Sequence, residues 1–91
     1  KLGLETARLL LYRLASDMEA GRPVALDSAL VKLHLSETYL RLCLDALQIF
    51  GGYGYASEYE LEREVRDAVG SRLYSGTSDI QRNLVAKHLG L

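Results

Sequence analysis

The stretch between Pro23 and Gly51 constrains the fold most, because it is apolar along two seams at helical spacing. The first seam contains Leu26, Leu30, Leu33, Leu40, Leu44 and Leu47, with Glu37 in the one slot where a leucine is missing. The second contains Val31, Leu35, Leu42, Ala46 and Ile49. A helix that is apolar on two sides is buried on two sides. We therefore predict a central helix over about residues 26–48, which is also a candidate to meet another subunit.

The other segments also have helical spacing. A first helix is predicted over roughly residues 2–20, because Leu4, Ala7, Leu11, Leu14 and Met18 step by three and four. The capping box Ser57-Glu58-Tyr59-Glu60 predicts a third helix from Ser57 to about Val69, ended by Gly70. Its i,i+4 spacing predicts two ion pairs, Glu62–Arg66 and Arg63–Asp67. A last helix is predicted to follow Thr77-Ser78-Asp79, with Gln81 completing a second box.

The apolar composition supports an all-α fold. The chain has 19 Leu against 5 Val and 2 Ile, and β-branched residues are the ones that favour strands. We expect an up-and-down four-helix bundle in which residues 1–91 form part of one domain. The helical pattern is already running at Leu2 without a preceding Met or cap. We therefore expect a piece of a longer protein that leans on neighbours for some of its burial.

Charge and cysteine content narrow the class of protein. A net charge of −1 without a basic cluster argues against a nucleic-acid or anionic-membrane partner. No apolar run approaches the ~20 residues of a membrane span, so we expect a soluble protein. The single Cys43 excludes an internal disulfide and fits a reducing compartment, and we expect it to be a small buried side chain. We expect a location in the bacterial cytoplasm or the mitochondrial matrix, with the cytoplasm favoured. We expect no metal site, because nine residues place His34 and Cys43 on opposite faces of a helix.

Two segments have residues suited to ligand binding, and each also has a purely structural interpretation. The Gly51-Gly52-Tyr53-Gly54 segment could present backbone N–H groups to a phosphate, or it could be a helix C-cap followed by a tight loop. The segment 76–79 places hydroxyls and free N–H groups at a helix N-terminus, which capping alone would explain. Ser75 has no histidine nearby in the sequence, so it lacks the general base of an activated serine.

Three motifs carry a resemblance to a known family. They are Gln48-Ile49-Phe50-Gly51-Gly52-Tyr53-Gly54-Tyr55, then Glu62-Arg63 with Arg66-Asp67-Ala68, and then Tyr74-Ser75-Gly76-Thr77-Ser78-Asp79-Ile80-Gln81-Arg82. In this order and at these separations the chain resembles the C-terminal α-helical domain of the FAD-dependent acyl-CoA dehydrogenases, without the first helix of that domain. Arg66 and Asp67 are interpreted as a structural, ion-paired brace.

The resemblance implies a cofactor, a substrate and an assembly. It implies FAD contacts at Gln48, Ile49, Phe50, Gly51 and Gly52, on the flavin of a neighbouring subunit, and at Thr77, Ser78 and Asp79. Tyr74, Ser75 and Gly76 would line the thioester end of an acyl-CoA pocket. The family's enzymes are homotetramers that oxidise an acyl-CoA thioester to its α,β-unsaturated form, and an electron-transfer flavoprotein is an implied partner.

Ser75 departs from the family pattern, in which many members have a glutamate base at this position. Serine without a partner base is too weak to remove the α-proton. Two interpretations stay open. The base comes from outside this chain, on an earlier helix, and small Ser75 leaves room for a branched or bulky acyl group. Alternatively, the protein is a non-catalytic family member or a helical interaction module that assembles with a partner subunit.

Overall fold

A computed structural model describes all of residues 1–91 and contains helices without strands. The elements are α1 (Leu2–Glu19), α2 (Ala25–Phe50), the single turn α3 (Gly52–Tyr55), a 3₁₀ turn (Ser57–Tyr59), α4 (Leu61–Ser71) and α5 (Ser78–His88). The all-α expectation is confirmed, and α1 and α2 agree with their predicted bounds to within two residues. None of the helices has both the length and the hydropathy that a bilayer crossing demands.

The central position predicted for α2 is confirmed, because α1, α3, α4 and α5 all pack against it. Helix α1 runs antiparallel to α2, since Thr6 Oγ1 lies 3.1 Å from His34 Nε2 and Arg13 lies 3.8 Å from Asp27. It packs against α2 alone and does not reach α4 or α5. The molecule is therefore elongated, 46 × 24 × 18 Å.

Helix α4 also runs antiparallel to α2. Near its start Tyr39 Oη donates a 2.6 Å hydrogen bond to Glu64 Oε2, and at its end Lys32 reaches Ser71. The bond to Glu64, with burial, raises the pKa of Tyr39 to about 12. Between these contacts Ala68 of α4 is fully buried. Cys43 of α2 is buried as expected, and this burial raises the pKa of its thiol. The buried core consists of small side chains. The helices therefore pack together here through small side chains and not through large interdigitating ones.

The predicted start of the third helix is wrong. Residues 57–59 form a 3₁₀ turn, Glu60 is left-handed with φ 59°, and α4 begins at Leu61 without a side-chain cap. A left-handed residue cannot be the third residue of an α-helix, so the Ser57 capping box does not form. At the other end, Gly70 does not stop the helix, which continues to Ser71.

The predicted brace of Arg66 and Asp67 is also wrong. Neither Glu62–Arg66 nor Arg63–Asp67 forms, and Arg63 instead lies 3.9 Å from Glu60. Arg66 and Asp67 are exposed on α4. Exposed i,i+4 pairs gain too little in water to fix long side chains, so spacing alone does not secure them.

Candidate functional site

The loop between α4 and α5, residues 72–77, is held by side chains from α2 and α5. Lys32 of α2 donates to the carbonyl oxygens of Ser71 at 2.9 Å and Gly76 at 2.7 Å. Gln81 of α5 donates through Nε2 to the carbonyl of Ser75 at 3.2 Å. These bonds fix the two ends of the loop and the peptide before Gly76.

The backbone turns sharply at Ser75 and Gly76, where φ is 54° and 92°. The conformation at Gly76 favours glycine, and a Cβ there would lie 2.5 Å from Gln81 Nε2 and displace that amide from the loop. Tyr74 and Ser75 are exposed beside it. The loop therefore exposes Tyr74 and Ser75 next to Gly76, and of these three predicted lining residues only Tyr74 lines the open groove between α1, α2 and the end of α4.

Glu37 joins this loop to the start of α5. Its carboxylate accepts hydrogen bonds from Ser78 Oγ at 2.7 Å and Arg72 Nε at 2.8 Å, and Arg82 lies 3.9 Å away. The Ser78 hydrogen bond, followed by the Arg72 interactions, holds the pKa of Glu37 below its usual value, against the opposing effect of desolvation. Glu37 is the polar residue that interrupts the leucine seam, which was the one signal in the sequence for its role.

The start of α5 differs in detail from the prediction. Thr77 is the N-cap, and its Oγ1 accepts from the backbone N–H of Ile80 at 3.2 Å. The second capping box does not form, because Gln81 turns back to the loop and Ser78 donates to Glu37. Asp79 is exposed and paired with Arg82 at 3.0 Å. The side chains of Thr77 and Ser78 therefore form hydrogen bonds within the chain, whereas the side chain of Asp79 is exposed to solvent.

We expect Glu37→Gln to destabilise the protein by about 1–2 kcal/mol at pH 7, because an amide loses the charge that Arg72 and Ser78 contact; partial exposure keeps the value modest. The folded pKa of Glu37 lies below its unfolded value of 4.5, so its contribution is present above pH 4.5 and is lost as the pH falls through the folded pKa. The urea midpoints of wild type and variant should therefore differ more at pH 7 than at pH 3. Glu58→Gln, in the exposed 3₁₀ turn, is the control. Equal midpoints for wild type and Glu37→Gln at pH 7 would contradict this role.

The segment Gln48–Gly52 lies at the far end of α2. Gly51 breaks the helix with φ 60° and ψ −139°, and the expected loop is instead the helical turn α3. Ile49 is 83% exposed and Phe50 53%, while a Cβ on Gly52 would meet nothing within 4 Å. An open glycine backbone beside exposed apolar side chains fits a flat, phosphate-bearing cofactor such as FAD.

The structure does not bring the two predicted cofactor segments together within one chain. Ser78 contacts Glu37, which is 13 residues before Phe50 on the same helix. At 1.5 Å per residue the segments are separated by roughly 20 Å along α2. They are therefore two separate surfaces of this chain.

An open apolar groove of about 610 Å³ lies between α1, α2 and the end of α4. Its lining includes Leu4, Leu11, Leu35, Leu42 and Tyr74. Lys32, which donates to the loop carbonyl of Gly76, also lines it. Leu4 and Leu11 are exposed, so α1 and α2 do not close the groove by themselves.

Comparison with known proteins identifies the family of this chain. A sequence profile described as "Acyl-CoA dehydrogenase, C-terminal domain" matches residues 1–90. The chain belongs to the acyl-CoA dehydrogenase family.

Two curated relatives and one solved structure show the range of the family around this chain. It is 45% identical over 91 residues to an L-prolyl-[peptidyl-carrier protein] dehydrogenase of Pseudomonas fluorescens, covering all of this chain and 24% of the relative. It is 41% identical over 81 residues to a short-chain acyl-CoA dehydrogenase of Megasphaera elsdenii, covering 89% and 21%. The FAD complex of PigA superimposes with a TM-score of 0.95 at 42% identity, covering 100% and 24%.

These matches confirm the family and, at the level of the family, its flavin cofactor. The chain spans about a quarter of the length of the relatives it matches. Relatives include both bacterial and mitochondrial enzymes.

Proposed function

We propose that these residues belong to an FAD-dependent dehydrogenase that oxidises an acyl thioester to its α,β-unsaturated form. The observation that carries the proposal is the fixed, left-handed loop at Ser75 and Gly76 on a chain of this family. In this proposal, Tyr74, Ser75 and Gly76 line the thioester end of the substrate pocket. Bound FAD would accept the hydride from the β-carbon.

The cofactor contacts in this proposal are Gln48, Ile49, Phe50, Gly51 and Gly52 at one end of α2, and Thr77, Ser78 and Asp79 at the other site. The separation of the two surfaces supports a flavin shared between subunits of a homotetramer. Because Thr77 and Ser78 already bond within the chain, their contribution is the shape of the α5 N-terminus and its remaining N–H groups. An electron-transfer flavoprotein as acceptor and a bacterial cytoplasmic location complete the proposal.

The base that removes the α-proton is proposed to lie outside residues 1–91. The Ser75 hydroxyl has no hydrogen-bond partner that would activate it. Two carboxylates close to the loop are also unsuitable: Glu37, which contacts Arg72, has a lowered pKa, and Asp79, two residues after the loop, is paired in solvent with Arg82. A general base in a dry pocket needs a raised pKa.

Replacing Ser75 tests this assignment. In the full-length protein we expect Ser75→Ala to lower kcat by less than about tenfold, because general-base catalysis contributes ~10²–10⁴ and serine does not supply it. Steady-state dye reduction with the best substrate measures the effect. A loss of a thousandfold or more, with flavin still bound, would make Ser75 the catalytic group and contradict the proposal.

A second candidate is narrower: the thioester is a prolyl group held on a carrier protein rather than an acyl-CoA. The identity over the whole chain to a dehydrogenase with that substrate favours it, as does the small side chain of Ser75, which leaves room for a ring. Comparing kcat/KM for prolyl-carrier protein with straight-chain and branched acyl-CoA thioesters separates the two. A protein that oxidises none of them would favour the non-catalytic or interaction-module interpretation.

A further inference from the structure

We propose that Lys32 is a positioning residue that sets the geometry of the loop carrying Tyr74, Ser75 and Gly76 toward the thioester. The inference rests on the proposed function and adds a residue whose ammonium group acts through the loop backbone. Its basis is that one ammonium group holds both ends of the loop.

The electrostatics of α4 explain why a cation is placed there. The last carbonyl groups of a helix are unpaired and carry partial negative charge, and a cation near them is stabilising. Helix α4 has no basic residue in its last turn. Lys32, reaching across from α2, donates to the Ser71 carbonyl at that end.

The second bond of Lys32 makes it more than a helix cap. The same Nζ donates to the Gly76 carbonyl at 2.7 Å, just before α5 begins. Lys32 forms no ion pair with a carboxylate, so its two bonds inside the chain are both to the backbone of this loop. A single side chain therefore binds the carbonyl groups on either side of the four-residue segment from Arg72 to Ser75.

The other contacts of the loop act on different groups. Glu37 accepts from Arg72 Nε and Ser78 Oγ, and the Ser78 N–H donates to the Arg72 carbonyl at 3.0 Å, so both contacts join Arg72 to the start of α5. Gln81 Nε2 donates to the Ser75 carbonyl at 3.2 Å and reaches the Gly76 carbonyl only at 3.5 Å. Without Lys32 the Gly76 carbonyl keeps only this long contact, and its peptide can move. A displacement of about 1 Å at a reacting centre can lower a rate by about a hundredfold. The proposed cofactor surface at Gln48–Gly52 lies far along α2, so we expect the loss of Lys32 to leave flavin binding unchanged.

The test compares Lys32→Met, Lys32→Arg and Lys87→Met in the full-length protein. Methionine keeps most of the stem without the charge, arginine keeps the charge with a different donor geometry, and Lys87 is an exposed lysine of α5 remote from the loop. For Lys32→Met we expect kcat per bound flavin to fall about 10–100-fold, KM to change less than about threefold, and flavin content to match wild type. Lys32→Arg should recover part of the loss, and Lys87→Met should behave as wild type.

A purely structural role predicts a different pattern, with lower flavin content or melting temperature and unchanged kcat per bound flavin, and that pattern would overturn the proposal. If Lys32→Met does not fold, Lys32→Arg decides: a fall of fivefold or more in kcat per flavin supports positioning, and an unchanged value rejects it. Failure of the proposed function is recognised separately, because wild-type protein would then not reduce its flavin with any thioester.

Discussion

Gly76→Ala is expected to lower kcat about 10–100-fold and to destabilise the protein by about 1–3 kcal/mol. Gly76 has φ 92°, where a Cβ is strained, and that Cβ would lie 2.5 Å from Gln81 Nε2. The amide of Gln81 must move, and its bond to the Ser75 carbonyl breaks. The loop that presents Tyr74 and Ser75 then loses one of its fixed points.

A second glycine separates the two effects of that substitution. Gly21 also has a positive φ, 70°, but a Cβ there would meet nothing within 4 Å. Gly21→Ala should therefore cost stability of about 1–2 kcal/mol while kcat per bound flavin stays as in wild type. Equal kcat for Gly76→Ala and Gly21→Ala, measured with the same thioester, would contradict the assignment of the 72–77 loop to the substrate pocket.

Gly52→Leu is expected to weaken FAD binding about 10–100-fold while leaving the fold intact. A Cβ on Gly52 enters open space in this chain, and leucine is a better helix former than glycine, so the substitution does not strain α3. A flavin packed against this backbone has no room for the added side chain, and overpacking of this kind costs about 1–3 kcal/mol. Titration of the apoprotein with FAD, followed by flavin fluorescence, gives the dissociation constants.

The control for Gly52→Leu is Ser57→Leu, which adds a leucine at an exposed position five residues further along. It should bind FAD as wild type does. Gly52→Ala should lie between wild type and Gly52→Leu, because the effect scales with the volume added. Wild-type affinity in Gly52→Leu would remove the Gln48–Gly52 segment from the cofactor site.

The long helices could be predicted from the sequence because their leucines repeat over many turns. Both seams of α2 lie on one continuous helix, and Gly21-Arg22-Pro23 and Gly51 end the neighbouring segments close to where expected. Short-range signals were less reliable. The capping box at Ser57 does not form, because the chain makes a helical turn from Gly52 and Glu60 is left-handed. The local cap pattern therefore did not predict where α4 begins.

The site could be predicted only in part for a related reason. The residues of the 72–77 loop follow one another along the chain, so their sequence indicated a helix start with capping residues at Thr77-Ser78-Asp79, but not the positive φ at Ser75 and Gly76. The residues that hold the loop are distant in sequence: Lys32 is 39 and 44 residues from its two partners, and Glu37 is 35 from Arg72. Spacing along one helix does not reveal which loop lies opposite a side chain, so only Glu37, which interrupts a leucine seam, left a signal.

The most direct test of the account is the visible absorption spectrum of the purified full-length protein, recorded before and after anaerobic addition of acyl-CoA and prolyl-carrier protein thioesters. We expect a yellow flavoprotein that bleaches with at least one of them, in wild type and in Ser75→Ala. A protein that cannot be reconstituted with FAD, or a flavoprotein that none of the thioesters bleaches, would contradict the assignment as an acyl thioester dehydrogenase.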